Sequence, residues 1–265
     1  MIRFSVLASS SAGNATVLEA GGRHVLVDAG ISARRLGQRL NNLGLDWDDI
    51  SAIFITHEHS DHVQALAQIV KKRPVRIYCT RYTGHEILER APEAVCTYFE
   101  PRQTFELGDL RVTPFEVSHD AVDPVGFRFE YGDASLGYLT DTGSIPRHIP
   151  AFLSGVDALY LESNYEPSML EASPTRPRHL KLRIASAQGH LSNHQACEFL
   201  GRLNRTNLKH LVLAHLSQEC NRPELAREAM RRTLADLRAD TDLHCASPSE
   251  VLPWICVAAT QPSLP

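Results

Sequence analysis

Apolar residues fall into short runs that recur along the chain, bounded by Gly, Asp, Asn or Pro. Runs rich in Val, Ile, Leu, Phe and Tyr cover 3–8, 17–19, 24–27, 52–55 and 75–79. Others cover 110–117, 126–130, 136–140, 158–161 and 208–213. Their length and composition predict strands. Elsewhere the spacing becomes helical. "ISARRLGQRLNNLGL" puts Ile31, Leu36, Leu40 and Leu43 near one face, with Ser32 as N-cap. "SNHQACEFLGRL" opens on Ser192 with Gln195 three residues on, a capping-box pattern. "RPELAREAMRRTLADL" starts with Pro223 in its first turn and predicts an inner side of Leu225, Ala229 and Leu237. Strands in tight succession, then strands alternating with helices, fit two sheets packed face to face with helices outside. Only 162–190 lacks clear periodicity, and a long irregular segment of this kind is expected to be a lid or binding loop.

Composition narrows the class. A chain of 265 residues, 43% hydrophobic and 22% charged, has ample material for a large core. Its net charge of −4 gives no global attraction to nucleic acid, so an anionic substrate must be met by a local basic patch or by metal ions. The opening "MIRFSVLASSSAGNATVLEA" has no basic region leading into a long apolar stretch, and no apolar run reaches membrane-spanning length. Six cysteines without a CxxC pair read as reduced, mostly buried thiols. These features predict a cytoplasmic protein with no membrane partner. No repeat or linker divides the chain, which reads as one domain over 1–265 with a flexible tail from about 257. Oligomeric state is not legible.

The chemistry concentrates in "THEHSDH", residues 56–62, with three histidines and two acids in seven positions. Such groups are costly to bury without partners. In an extended segment residues two apart face the same way, so His57 and His59 can grip one ion. His62 breaks the alternation and can turn with Asp61 toward a second. Glu58 and Ser60 are expected to point away and shape the turn. Imidazole and carboxylate without thiolate suit Zn²⁺ first, with Mn²⁺ or Fe²⁺ as alternatives. Four apolar runs also end alike, leading into His57, His119, Asp141 and His215, which predicts convergence on one rim of the sheets. His24, His85, His148, His179, His194, His210 and His244 default to surface or structural roles.

"THEHSDH", the Asp of "TDTG" and the His of "AHLS" together resemble the metallo-β-lactamase-fold hydrolases. "LASSSAGNAT", "SHDAVDPVGFRF" and "LESN…GHLSN…AHLS" narrow the resemblance to the YycJ/WalJ-type exonuclease branch. The resemblance implies an α/β (α+β) fold, a four-layer αββα sandwich of two mixed β-sheets with helices on the outer faces. It implies two metal ions, one held by His57, His59 and His119, the other by Asp61, His62 and His215, with Asp141 bridging. Asp28, in "VLVDAG", matches a motif that orients the site without ligating. A hydroxide bridging the two ions would then attack a phosphodiester of nucleic acid, and a 5′→3′ DNA exonuclease is the leading reading. His190, in "GHLSN", is the candidate acid for the leaving oxygen, with Glu162 pairing a catalytic or metal-bound histidine. Substrate contacts are expected from Ser10 and Asn14 in "SSSAGN", from Asn193, and from Arg176, Arg178 and Lys181 in the basic run "TRPRHLKLR", which also carries Arg183.

Three competing readings share the metals or the fold. One is a phosphodiesterase for small, cyclic substrates. Another is a glyoxalase II-like thioester hydrolase, disfavoured because no basic C-terminal helical domain is evident. The last is a metal-binding protein without turnover, disfavoured by the complete ligand set. β-Lactamase activity is disfavoured by the bridging position of Asp141, and 265 residues leave no room for the inserted domain of RNase J-type enzymes.

Overall fold

The structure, a computed structural model, describes residues 1–204 and 208–258. The first half builds strands β1 (Ile2–Ala8), β2 (Ala15–Ala20), β3 (Arg23–Val27), β4 (Ile50–Phe54), β5 (Arg76–Cys79) and β6 (Val95–Tyr98). Helices α1 (Ala33–Asn41), α2 (Ser60–Val63), α3 (Leu66–Val70) and α4 (Arg81–Arg90) lie among them. The second half supplies β7 (Phe105–Leu107), β8 (Leu110–Glu116), β9 (Val125–Tyr131), β10 (Ala134–Leu139), β11 (Ala158–Glu162), β12 (His210–Ala214) and β13 (Asp242–Cys245). Its helices are α5 (Ile149–Leu153), α6 (Pro167–Ala172), α7 (Arg178–Ile184), α8 (Asn193–Arg202) and α9 (Pro223–Asp236), and β14 (Ile255–Val257) returns to the first sheet. The two sheets run β14-β1-β2-β3-β4-β5-β6 and β13-β12-β11-β10-β9-β8-β7. Each mixes parallel and antiparallel pairs.

Strand alternation creates the layers. In β3, Val25 and Val27 enter the core between the sheets, while Leu26 packs outward beneath the helices. In β4, Ala52 and Phe54 point inward and Ile53 outward. Central strands are therefore covered on both faces, and their sequences read as near-continuous apolar runs. Aromatic rings fill the middle: Tyr138 stacks on Tyr160 at 4.0 Å, and Phe54 meets Phe127 edge-on at 5.9 Å. One outer layer seats Leu36 and Leu40 of α1, Leu66 and Ile69 of α3 and Ile87 of α4. The opposite one seats Leu153 of α5, Phe199 and Leu200 of α8, and Met230 and Leu234 of α9. The expected four layers are all present.

Caps fall where the sequence places them. Ser32 accepts from the Arg35 amide, and Ser192 forms the reciprocal capping box with Gln195, each worth about 1 kcal/mol. Other expectations need correction. The buried ridge of α9 is Ala226, Met230 and Leu234, one position along from the predicted side, and Leu225, Ala229 and Leu237 only flank it. The segment 162–190 is not irregular, because Pro167 and Pro177 open the short helices α6 and α7. Val257, where a tail was expected to begin, is buried and paired with Ile2, while 259–265 lie outside the described residues. All six cysteines are free, and Cys256 is exposed. Among the described residues, no helix is long and apolar enough to cross a membrane.

Candidate metal centre

Strand ends bring the chemical groups together. His57 follows β4, His119 follows β8, Asp141 follows β10 and His215 directly follows β12. Asp28 follows β3 in the same way. Asp28, Asp141 and His215 adopt left-handed backbone angles, with φ of 62°, 49° and 53°. Such conformations are uncommon outside glycine and concentrate at functional sites. Here they turn each side chain sharply off its strand.

Ligand-type atoms of His57, His59 and His119 lie within 4.8 Å of one another, and so do those of Asp61, His62 and His215. Asp141 stands between the groups. Its Oδ2 is 3.2 Å from His62 Nε2, and its Oδ1 is 3.2 Å from His215 Nδ1 and 3.8 Å from His119 Nε2. The single helical turn α2, not an extended strand, swings Asp61 and His62 to the second group. That turn is strapped from below: the Asn14 amide donates to the Asp61 carbonyl at 2.8 Å and the Ala29 amide to the His62 carbonyl at 2.7 Å. Gly30 is essential to this contact, since a Cβ there would sit 1.6 Å from the Asp61 carbonyl oxygen. Glu58 turns away as expected and accepts from the Val122 amide.

Hydrogen bonds at the outer edge of the rings set their tautomers. His62 donates through Nδ1 to Asp28 Oδ2 at 2.8 Å, and His119 donates through Nδ1 to the Gly189 carbonyl at 3.0 Å. Thr56 gives its hydroxyl proton to Asp28, so it accepts from His57 Nδ1 at 3.0 Å. His215 Nδ1 lies 3.1 Å from Glu162 Oε1. In all four rings Nε2 is then the atom left for the centre, as a lone pair wherever the ring is neutral. His57 Nε2 is buried with no hydrogen-bond partner among the described residues, a state costly enough to call for a ligand. The donor chemistry and this orphaned nitrogen fit metal ions, and the paired clusters suggest a dinuclear site.

Charges divide the histidines. Burial pushes His57 and His119 below the ordinary imidazole range, which keeps both rings neutral and ready to ligate. Burial acts the same way on His62 and His215, but carboxylates override it. Asp61, Asp28 and Asp141 raise His62 well above its usual value, and Asp141 with Asp61 and Glu162 raises His215 to about 10. Burial works against ionisation of Asp61, Asp141 and Glu162, yet the facing histidines hold all three below the carboxylate range. Asp28 is the exception: burial outweighs His62 and raises it.

Glu162 is wholly buried and serves two histidines. Its Oε1 lies 2.7 Å from His190 Nδ1 as well as 3.1 Å from His215 Nδ1, while Oε2 accepts from the Thr142 and Leu191 amides. His190 Nδ1 is also 3.4 Å from Asp141 Oδ1, and its ring is partly open to a cleft of about 240 Å³ over the centre. Arg176, Leu180, Arg183 and Ile184 form one wall of that cleft, and His59, Asp61 and His215 lie in it as well.

The expected substrate contacts mostly lie elsewhere. Ser10 and Asn14 are buried, with Asn14 bonding Ser10, Asp61 and His62 as scaffold, and the neighbouring Ser11 faces the cleft instead. Asn193 is buried beside Asn221, Glu166 and Ser163. Arg178 is exposed outside the cleft wall, and Lys181 turns back to the Glu171 carbonyl. Of the expected basic contacts only Arg176 reaches the cleft, beside Arg183. Thr56, Gly30 and the Gly189 carbonyl were not anticipated. The Thr immediately before the histidine motif was the one available signal among them.

Residues 23–216 match the family described as the beta-lactamase superfamily domain. The chain belongs to this superfamily, in its metallo-β-lactamase-fold form. It is 34% identical over 260 residues to the exodeoxyribonuclease WalJ of Streptococcus pneumoniae, covering 95% of this chain and 96% of that one. It is 32% identical over 238 residues to the exodeoxyribonuclease YycJ of Bacillus anthracis, covering 89% and 90%. Among solved structures of the metallo-β-lactamase fold, YhfI of Bacillus subtilis superposes with a TM-score of 0.73 at 17% identity, over 94% of this chain and 98% of that one.

Proposed function

We propose that this metallo-β-lactamase-fold protein is a dinuclear-metal-dependent phosphodiesterase that degrades DNA from strand ends in the 5′→3′ direction. His57, His59 and His119 hold one ion, Asp61, His62 and His215 the other, and Asp141 is shared. Zn²⁺ suits the donors first, and Mn²⁺ or Fe²⁺ can use the same set. The observation that carries the reading is the meeting of two ligand groups at Asp141 beside the Glu162–His190 pair, in a chain similar along its length to two named exodeoxyribonucleases. When bound, the ions activate water at neutral pH and neutralise phosphate oxygens.

The protein's own residues do the rest. Asp28, through Thr56 and His62, fixes the ring orientations in which Nε2 faces the centre. Glu162 accepts from His190 Nδ1, which fixes the ring and orients its Nε2 for transfer of a proton to the leaving oxygen. Leu180 and Ile184 supply apolar side chains to the cleft wall, alongside Arg176 and Arg183. The test is digestion of end-labelled duplex and single-stranded DNA by protein reconstituted with Zn²⁺ or Mn²⁺. Nucleotides should be released from 5′ ends. Intact DNA alongside rapid hydrolysis of a glutathione thioester would overturn the proposal.

A further inference from the structure

A second group of ligand-type side chains lies at the edge of the second sheet, away from the candidate centre. His210 opens β12, whereas His215 follows its other end, roughly 16 Å further along at about 3.3 Å per residue. On the neighbouring edge strand β13, Asp242 pairs with His210, and His244 pairs with Val212. Val212 faces the core between the sheets, so strand alternation puts His210, Asp242 and His244 on that same face. At the sheet's edge this face is partly open: both histidines are half-buried and Asp242 is exposed.

Two ring nitrogens of this group are unmatched. His210 Nδ1 and His244 Nε2 are buried with no hydrogen-bond partner among the described residues, a state that calls for a ligand. His210 Nδ1 lies 3.6 Å from Asp242 Oδ2, too long for a hydrogen bond. Two donors on one tetrahedral zinc ion stand roughly 3.3 Å apart, and the histidine–carboxylate pairs of the candidate centre span 3.2 to 3.8 Å. The His210 and His244 rings are 5.9 Å apart, against 4.6 to 5.1 Å among His57, His59 and His119, so a turn of the half-buried His244 ring must close the remaining gap. Burial, with His210 and Arg227 nearby, holds His244 below the ordinary imidazole range against the pull of Asp242, which keeps the ring neutral for ligation. We propose that His210, Asp242 and His244 form a separate zinc site, with water in the fourth position, that ties the edge strand β13 to β12. Its ligands come from both strands, so the ion adds a cross-link where the sheet has no further strand to hold its edge.

The experiment counts zinc per chain by equilibrium dialysis at rising free Zn²⁺, in the wild type, His244→Gln and Asp242→Asn, and follows thermal unfolding in parallel. At saturation the wild type should hold one ion more than His244→Gln, whatever number the candidate centre takes. Zinc should also raise the Tm of the wild type further than that of His244→Gln. Asp242→Asn should weaken this one ion by at least tenfold and leave the others unmoved. Asp242 is exposed, so that variant reports on the site even where His244→Gln fails to fold. Equal zinc counts, an equal gain in Tm, or an ion held as tightly by Asp242→Asn as by the wild type overturns the inference. None of these outcomes depends on the nuclease reading.

Discussion

Replacing Gly30 by alanine should cost the protein one ion and leave it folded. A Cβ at position 30 would stand 1.6 Å from the Asp61 carbonyl oxygen, whereas real Cβ contacts stay beyond 3.0 Å. One of the two backbones must therefore retreat by roughly 1.4 Å, several times the ~0.2 Å within which metal–ligand distances are held. The retreat falls on α2, because Gly30 is itself fixed by its amide bond to the Asn14 carbonyl at 2.8 Å. Asp61 and His62 both ride on that turn, so the ion assigned to Asp61, His62 and His215 loses two donors' alignment at once. We expect its affinity to fall at least a hundredfold, about 2.8 kcal/mol. His57 and His119 stand on other segments, and His59 is only the N-cap of α2, so the first ion should be kept. The assay is metal stoichiometry after dialysis against a weak chelator, with thermal unfolding to establish that the variant is folded. A folded Gly30→Ala protein that retains two ions at wild-type affinity refutes the reasoning.

Two further outcomes follow from the same geometry. His190→Ala should keep both ions yet lose on the order of a hundredfold or more in rate on DNA, and should recover most of that loss on a p-nitrophenyl phosphodiester, whose leaving group needs no proton; equal defects on both substrates would show that His190 is structural. Protein without bound metal should become less stable in alkali: His215 is raised from 6.5 to about 10, so its contribution is complete below about pH 6.5 and is lost as pH rises through about 10. His62, also raised, acts with the same sign. Thermal unfolding in excess chelator between pH 6.5 and 10.5 checks this, and a Tm that rises across that range contradicts it.

The ten strands legible in the sequence are the interior ones, where burial on both faces writes an unbroken apolar run. The four that escaped, β6, β7, β13 and β14, are the edge strands of the two sheets. They are three or four residues long and mostly exposed or half-exposed, so their composition resembles loop. The metal-type residues were legible because seven positions of one motif and three strand-end residues carry the signal locally. What supports them was not. Asn14 meets Asp61 across 47 residues and Glu162 meets His215 across 53, contacts that only the packed sheets create. Ser10, Asn14 and Asn193 were expected at the substrate because small polar residues favour phosphate loops, but the same residues also satisfy buried backbone, and that use prevails here.

The left-handed turns at Asp28, Asp141 and His215 also bear on how the sequence can drift. Each costs the fold of order 1 kcal/mol, at the low end for such strain because Asp and His tolerate this region better than most side chains. Glycine would occupy any of the three turns without that strain. Relief of strain is not the whole account, because the Asp28 carboxylate also satisfies the buried Thr56 amide and His62 Nδ1, donors that glycine would leave unmatched. Asp28 is thus held by the fold as well as by the chemistry. A duplicated copy released from selection on activity should therefore keep Asp28 along with its aromatic interior, Phe54, Phe127 and the Tyr138–Tyr160 stack.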